Sequence, residues 1–414
     1  MSSDKMSLKP GPVEFVALMA LLTSIEALSI DAMLPALGEI GRSLGAEGNQ
    51  PQLVIGSIFL GAAAGQFASG ALSDSFGRRP AVFIFIALFL AGTAICAIAA
   101  DFPQMLGGRV LQGFGAAGPH VVSLAIIRDR YEGREMARIT SFVMSVFILV
   151  PVIAPMIGQG ILFVAAWRAI FGALAALAGL LLIWFALRQP ETLSPGARTP
   201  LSVLSYLESA RSVLRARPLV IYTGVQGLIL GAFVGYLSST QQIFQDIYGQ
   251  GALFPVFFAL LSLAIGTAAA LNSALVMRLG MHRLTATALV MLIALSALFL
   301  VWSEAQDGRP PFLVLLAWLG ASIFCIGAAF GNISAMALEP LDENAGMGAT
   351  LFGGTSTLLA MLIGVLIGQG FDGTVSPLAL GFTVAPVAAL ALMWLDGGSP
   401  WRDRTKQAPE SDGG

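Results

Sequence analysis

Twelve helix-length apolar runs recur along this chain, and their recurrence restricts its fold more than any other feature. Crossing the roughly 30 Å hydrocarbon core of a bilayer takes about 20 mostly apolar residues as helix, and only helices or closed barrels satisfy their backbone there. The runs fall at about 12–36, 51–73, 81–100, 104–127, 136–162, 166–188, 218–243, 253–277, 284–303, 311–338, 346–370 and 376–396. None shows the ten-residue alternation of a barrel strand. Composition agrees, with 56% of the 414 residues hydrophobic and 11% charged, against roughly a quarter charged in soluble domains. The first run is too long for a signal-peptide core and is expected to stay as a signal anchor.

The charges that remain are placed asymmetrically. With both termini on one side, eighteen of the 22 Lys and Arg residues fall in tails and loops of that side, three (Arg42, Arg168, Arg309) on the other, and Arg109 inside a span. The positive-inside rule makes the first side cytoplasmic. A net charge of -2 supplies no field for nucleic acid. Cys96 and Cys325 lie apart in apolar runs, and His120 and His282 are the only histidines, so no metal site and no triad is expected. No phosphate-cradling glycine-lysine loop is present. The chain does not read as an enzyme.

Between Gln189 and Pro218 runs the longest polar stretch, with Pro190, Pro195, Gly196 and Pro200 among its arginines. It divides the chain into a half at 1–188, a cytoplasmic linker at 189–217, a half at 218–396 and a disordered cytoplasmic tail at 397–414. Gly70-Ala71-Leu72 with Gly77 is echoed by Ser273-Ala274-Leu275 with Gly280, and Ile157-Gly158-Gln159-Gly160 by Ile367-Gly368-Gln369-Gly370. These traces at corresponding positions predict two six-helix pseudo-repeats around a central cavity.

The loop Gly70-Ala71-Leu72-Ser73-Asp74-Ser75-Phe76-Gly77-Arg78-Arg79-Pro80 and the stretch Arg109-Val110-Leu111-Gln112-Gly113-Phe114-Gly115 resemble signature motifs of the major facilitator superfamily of transporters. That resemblance implies its all-α fold and a cytoplasmic gate carried by Gly70, Asp74, Gly77, Arg78 and Arg128. Pro151, Pro155 and Gly158 in the fifth run are similar to the exporter-type motif. A narrower resemblance is to the Bcr/CflA drug-resistance group of drug:proton antiporters, through Ser29-Ile30-Asp31-Ala32-Met33-Leu34-Pro35, Arg128-Asp129, Trp167-Arg168-Ala169, Tyr248-Gly249 and Ala337-Leu338-Glu339-Pro340. The chain departs from that group at Met33 for Tyr, Gln241-Gln242 for Pro-Phe and Gly331 for Pro.

Within spans the clearly placed ionisable residues are Glu26, Asp31 and Arg109. Such groups are costly in a bilayer and mark ion or substrate paths. The first helix runs outward and the fourth inward, so Asp31 and Arg109 are expected at one depth, paired and coupled to the proton. Glu26 is five residues from Asp31, roughly 140° around the helix, and is expected to face the cavity as a substrate contact. Gln112, Gln226, Tyr236, Phe258, Asn272 and Asn332 complete the expected substrate lining, while His120, beside Gly118-Pro119, reads as packed and hydrogen-bonded. Asp74 is expected to pair with Arg128 when the cytoplasmic side closes. The expectation is a monomeric inner-membrane exporter of small, partly apolar drug-like compounds, with a proton as coupling ion and no other cofactor. The alternative is a facilitator, symporter or exporter of a sugar, amino acid or other metabolite.

Overall fold

A computed structural model describes residues 10–199, 203–341 and 345–396. The tail at 397–414 lies outside the described residues. Among the described residues, twelve helices are long and apolar enough to span a membrane. In chain order they are α1 (Pro12–Asp31), α2 (Leu53–Phe76), α3 (Arg78–Ala97), α4 (Phe102–Arg130), α5 (Gly133–Leu162) and α6 (Arg168–Arg188). The second set is α7 (Arg217–Gln242), α8 (Phe254–Leu279), α9 (Met281–Glu304), α10 (Phe312–Leu338), α11 (Ala345–Gln369) and α12 (Ser376–Leu395). Prolines open several of them, as Pro12, Pro103, Pro218, Pro255 and Pro377 occupy first-turn positions where a missing N–H costs nothing. The linker carries a helix that the polar composition did not announce, Val203–Val213.

Packing repeats with a six-helix offset. In the first half α4 rests on α2 and α3, α5 on α1, and α6 on α3; in the second, α10 rests on α8 and α9, α11 on α7, and α12 on α9. The halves meet through α2 against α11 and α5 against α8, pairs that exchange under the same offset. The outer surface is apolar, with Leu298 at 72% and Leu366 at 74% exposure, as a lipid-facing bundle requires. An even number of spans puts Pro12 and Leu395 on one face, here the terminal face, together with the α2–α3 turn.

That turn is a single residue. Gly77 adopts φ +108°, where a side chain is strained, and lets α2 end and α3 begin without a loop. At the other end of the first span, α1 stops at Asp31 and continues as a 3-10 turn, Leu34–Ala36, and a short helix, Leu37–Ser43. Pro35 explains the break, because its ring excludes the carbonyl four residues back and it has no N–H to offer the Asp31 carbonyl.

Candidate functional site

A cavity of about 1220 Å³ lies between the halves. Its inner wall holds Gln66, His120, Gln226, Leu230, Ser356 and Thr357; its mouth holds Asp74, Arg78, Arg128 and Asp129, with Thr199 and Ser209 of the linker. The lining therefore runs from mid-bundle to the terminal face. Ionic groups are confined to the mouth, and the wall is apolar or an uncharged hydrogen-bonder, apart from His120.

The opposite face is closed by amides that cross between halves. Asn49 Nδ2 donates to the Gln369 carbonyl at 3.0 Å and the Phe371 carbonyl at 2.6 Å, and Gln369 Nε2 returns a bond to the Asn49 carbonyl at 2.8 Å. Gln52 Nε2 donates to Gln242 Oε1 at 2.8 Å, and Gln242 Nε2 reaches Asn49 Oδ1 at 3.4 Å. Gln242 is one of the positions at which the chain departs from Pro-Phe in the resembled group, and here it is built into the closure.

Asp31 and Arg109 are both buried, at 5% and 0% exposure, but the expected pair is not formed. Arg109 Nη1 donates to the Ser29 carbonyl at 3.0 Å and to Gln112 Oε1 at 2.6 Å, while Nε reaches the Val54 carbonyl at 3.4 Å. The break in α1 is the cause. Past Asp31 the Met33 amide turns back to the Ile30 carbonyl, at 3.3 Å, and leaves Ser29 without its helical donor; the guanidinium takes that place. Arg109 Nη2 has no hydrogen-bond partner among the described residues. Among the described residues no salt bridge holds Asp31, and the Tyr236 hydroxyl, itself without a hydrogen-bond partner, is near enough to feel its charge.

Gly158 bears directly on this point. A Cβ there would sit 2.0 Å from the Ala32 carbonyl, so only glycine lets α5 meet the broken end of α1 one residue past Asp31. Pro151 and Pro155 lie inside the same helix.

Several expected substrate contacts sit elsewhere. Gln112 is fully buried and bridges α4 to α3, accepting from Arg109 and donating to Thr93 Oγ1 at 2.8 Å. Asn272 and Asn332 exchange amide bonds of 2.8 and 3.3 Å, clamping α8 to α10, because two in-span amides satisfy each other best when reciprocal. Tyr236, 1% exposed, stacks on Phe258 with centroids 5.7 Å apart and an interplanar angle of 15°, behind the cavity wall. Gln226 does line the cavity, and its Oε1 has no hydrogen-bond partner among the described residues. Glu26, expected to face the cavity, is half-buried and is not among the residues that line it.

At the mouth Gly70, Asp74, Arg78 and Arg128 all line the opening. Asp74 pairs with Arg78, four residues on across the Gly77 turn, and not with Arg128. Arg78 also holds Asp129 at 3.0 Å and Ser73 Oγ at 3.0 Å. The reason is proximity, since the one-residue turn delivers Arg78 to Asp74. Glu191 escaped the sequence reading. Its carboxylate accepts the Arg78 and Arg79 amides, each at 3.0 Å, and caps α3 from the linker. Thr192 adds a 2.8 Å bond to Asp129, and Glu14 holds Arg188 through two 2.6 Å bonds. No local pattern links Glu191 to a helix start more than a hundred positions earlier.

Residues 19–365 match the family model described as Major Facilitator Superfamily. The chain is 31% identical over 387 residues to the uncharacterized MFS-type transporter YdgK of Bacillus subtilis (strain 168), covering 91% of this chain and 94% of that protein. It is 26% identical over 392 residues to the bicyclomycin resistance protein homolog of Haemophilus influenzae, covering 92% and 94%. To the multidrug resistance protein MdtL of Escherichia coli O9:H4 it is 26% identical over 330 residues, 78% of this chain and 80% of that protein. In fold it is similar to a D-xylose-proton symporter, with TM-score 0.69, 16% identity and coverage of 92% and 96%. The human organic anion transporter MFSD10 gives TM-score 0.67 at 18% identity, covering 94% and 100%.

Proposed function

The chain belongs to the major facilitator superfamily, and from that premise we propose that it exports small, partly apolar compounds in exchange for protons by alternating access. The observation that carries the reading is the cavity: open at the terminal face, shut by amides at the other, and walled mainly by apolar and uncharged hydrogen-bonding groups. Such a wall suits an amphiphilic solute better than an ion. The names of the resistance-protein relatives favour drug-like compounds over metabolites.

In this reading the terminal face is cytoplasmic, in a bacterial inner membrane, and the protein works as a monomer. Asp31 carries the proton. It lies at the broken end of α1, where a rearrangement of one peptide changes its surroundings, and ionising a buried carboxyl that lacks a cation partner is costly. Arg109 grips the frayed Ser29 carbonyl in the conformer described; when α1 shifts, its unpartnered Nη2 is the donor at hand for the Asp31 carboxylate. Gly158 supports the break, and Asp74, Arg78 and Arg128 form the cytoplasmic gate.

The test is substrate-driven proton movement in proteoliposomes loaded with a pH-sensitive dye, using amphenicol-like, cationic and sugar-like compounds. Wild type is expected to release protons on addition of a transported compound, and Asp31→Asn to lose proton-linked flux while folding normally. Equal flux in both proteins without proton movement would return Asp31 to a structural role and favour a facilitator.

A further inference from the structure

Of the Gln241-Gln242 pair, Gln242 is taken up by the amide closure, while Gln241 is buried beside a second, smaller cavity that the export reading leaves unused. This cavity lies between the halves at the opposite face and measures about 160 Å³, the liquid volume of about five waters. One wall is the short helix Leu37–Ser43, which follows the Pro35 break, with Gln52 just before α2. The other is the end of α7, which closes in a π turn, Ile243–Ile247. No lining residue is shared with the large cavity.

The two walls carry opposite charge. Arg42 stands on the first and Asp246 on the second, both exposed, and among the described residues neither holds a salt bridge. The amides between them are buried, Gln52 at 4% and Gln241 at 5% exposure, and their hydrogen-bonding capacity is only partly used. Gln52 Nε2 belongs to the closure, but its Oε1 accepts no hydrogen bond from the described residues. Gln241 Nε2 donates to Gln245 Oε1 and keeps a second hydrogen. Gly38 leaves room beside these groups. The point its missing Cβ would occupy lies 3.5 Å from Arg42 Nη1, 3.6 Å from Gln241 Nε2 and 3.8 Å from Gln245 Oε1, so two donors converge on an open position.

Converging donors that include a guanidinium suit a carboxylate. A facing carboxylate with a buried acceptor that has nothing to accept suits an ammonium. A ligand of one charge would answer only one wall. We propose that this cavity binds a small amino carboxylate as its zwitterion, the carboxylate on Arg42 and Gln241 and the ammonium on Asp246 and Gln52. Each charge belongs to a different half, so the complete site exists only while the opposite face is closed. In the alternating-access reading, a zwitterion arriving from that side therefore favours the cavity-open state by as much as it prefers the assembled site. It regulates access without entering the large cavity.

Calorimetry on the full purified chain tests the site with glycine, β-alanine and γ-aminobutyrate, zwitterions of increasing span, and with acetate and methylammonium as single-charge controls. At least one zwitterion is expected to bind one to one, at least about tenfold tighter than either control. Arg42→Gln and Asp246→Asn, both at exposed positions, should each weaken it by about tenfold or more. Gly38→Ala should weaken it with both charges kept, because the added methyl meets its neighbours in ordinary contact and occupies the open point. With the zwitterion at about ten times its Kd for Asn49→Leu, labelling of Ser334→Cys from the terminal face should rise in that variant, to a limit of about elevenfold. No binding by any of the zwitterions, acetate binding as tightly as they do, or undiminished binding in any of the cavity variants would overturn the proposal. An unchanged labelling rate with the zwitterion bound would overturn its link to access. Calorimetry needs no transport, so the site fails independently of the export reading, which fails when wild type moves none of the compounds.

Discussion

The two faces of the protein are held by different chemistry. At the opposite face the halves touch, and the groups that touch are neutral amides: Asn49 and Gln52 against Gln242, Gln369 and the Phe371 carbonyl. At the terminal face the halves stand apart, and the ion pairs among the described residues each stay within one half: Arg78 with Asp74 and Asp129 and Arg188 with Glu14 in the first, His282 beside Asp396 at 4.0 Å in the second. Neutral amides lose little to desolvation and form or break without stranding a charge, whereas a buried ion pair that is broken leaves one behind. A closure that must open in each cycle is suited by the first kind. The ionic groups at the mouth brace the loop between α2 and α3, ready to meet the second half when it swings in.

The most damaging way to break the contrast is Asn49→Leu, which removes two donated bonds and one accepted bond from the closure. At about 1 kcal/mol each this should shift the ratio of the two access states roughly a hundredfold. In a background without Cys96 and Cys325, a cysteine at Ser334, which lines the cavity, should react more slowly with a terminal-face maleimide. An unchanged rate would mean that the amides do not hold the closure.

Glu191→Gln acts on the other face. It keeps the shape but discharges the cap on α3, and should lower stability by about 1 kcal/mol and speed proteolysis of the 189–199 segment, with the access ratio little changed. A melting temperature equal to wild type would show that the cap is dispensable. The smallest effect is that of salt. Raising it from about 0.05 to about 1 M should leave the Asn49 closure intact and weaken Asp74–Arg78, whose carboxylate side chain is 52% exposed, by less than about 1 kcal/mol. Equal responses at both faces would erase the distinction.

Much of this architecture is legible residue by residue. Apolar length places the spans, Gly77 the tight turn and Gly158 a close approach, because each of these is a local steric fact; the end of α1 at Asp31 fell inside a run expected to continue to 36. The pairings were harder to read. Asp31 and Arg109 were brought to one depth correctly but joined wrongly, since the competitor for the guanidinium was a carbonyl released by a helix break. Gln112, Asn272 and Asn332 looked like cavity residues because polarity within a span has two outlets, a cavity or a neighbouring helix, and sequence does not say which. Glu191 and Asn49 were passed over as loop residues.

The sequence by itself determined that this chain spans a membrane twelve times, in two related halves whose charges sort to one side, because burying a backbone in lipid leaves few solutions and each is written in local composition. Tertiary structure decided which polar side chains satisfy one another and which face water. Those partners come from helices scores or hundreds of residues apart, and their choice depends on how the two halves stand, which a chain able to adopt more than one arrangement does not encode in any single segment.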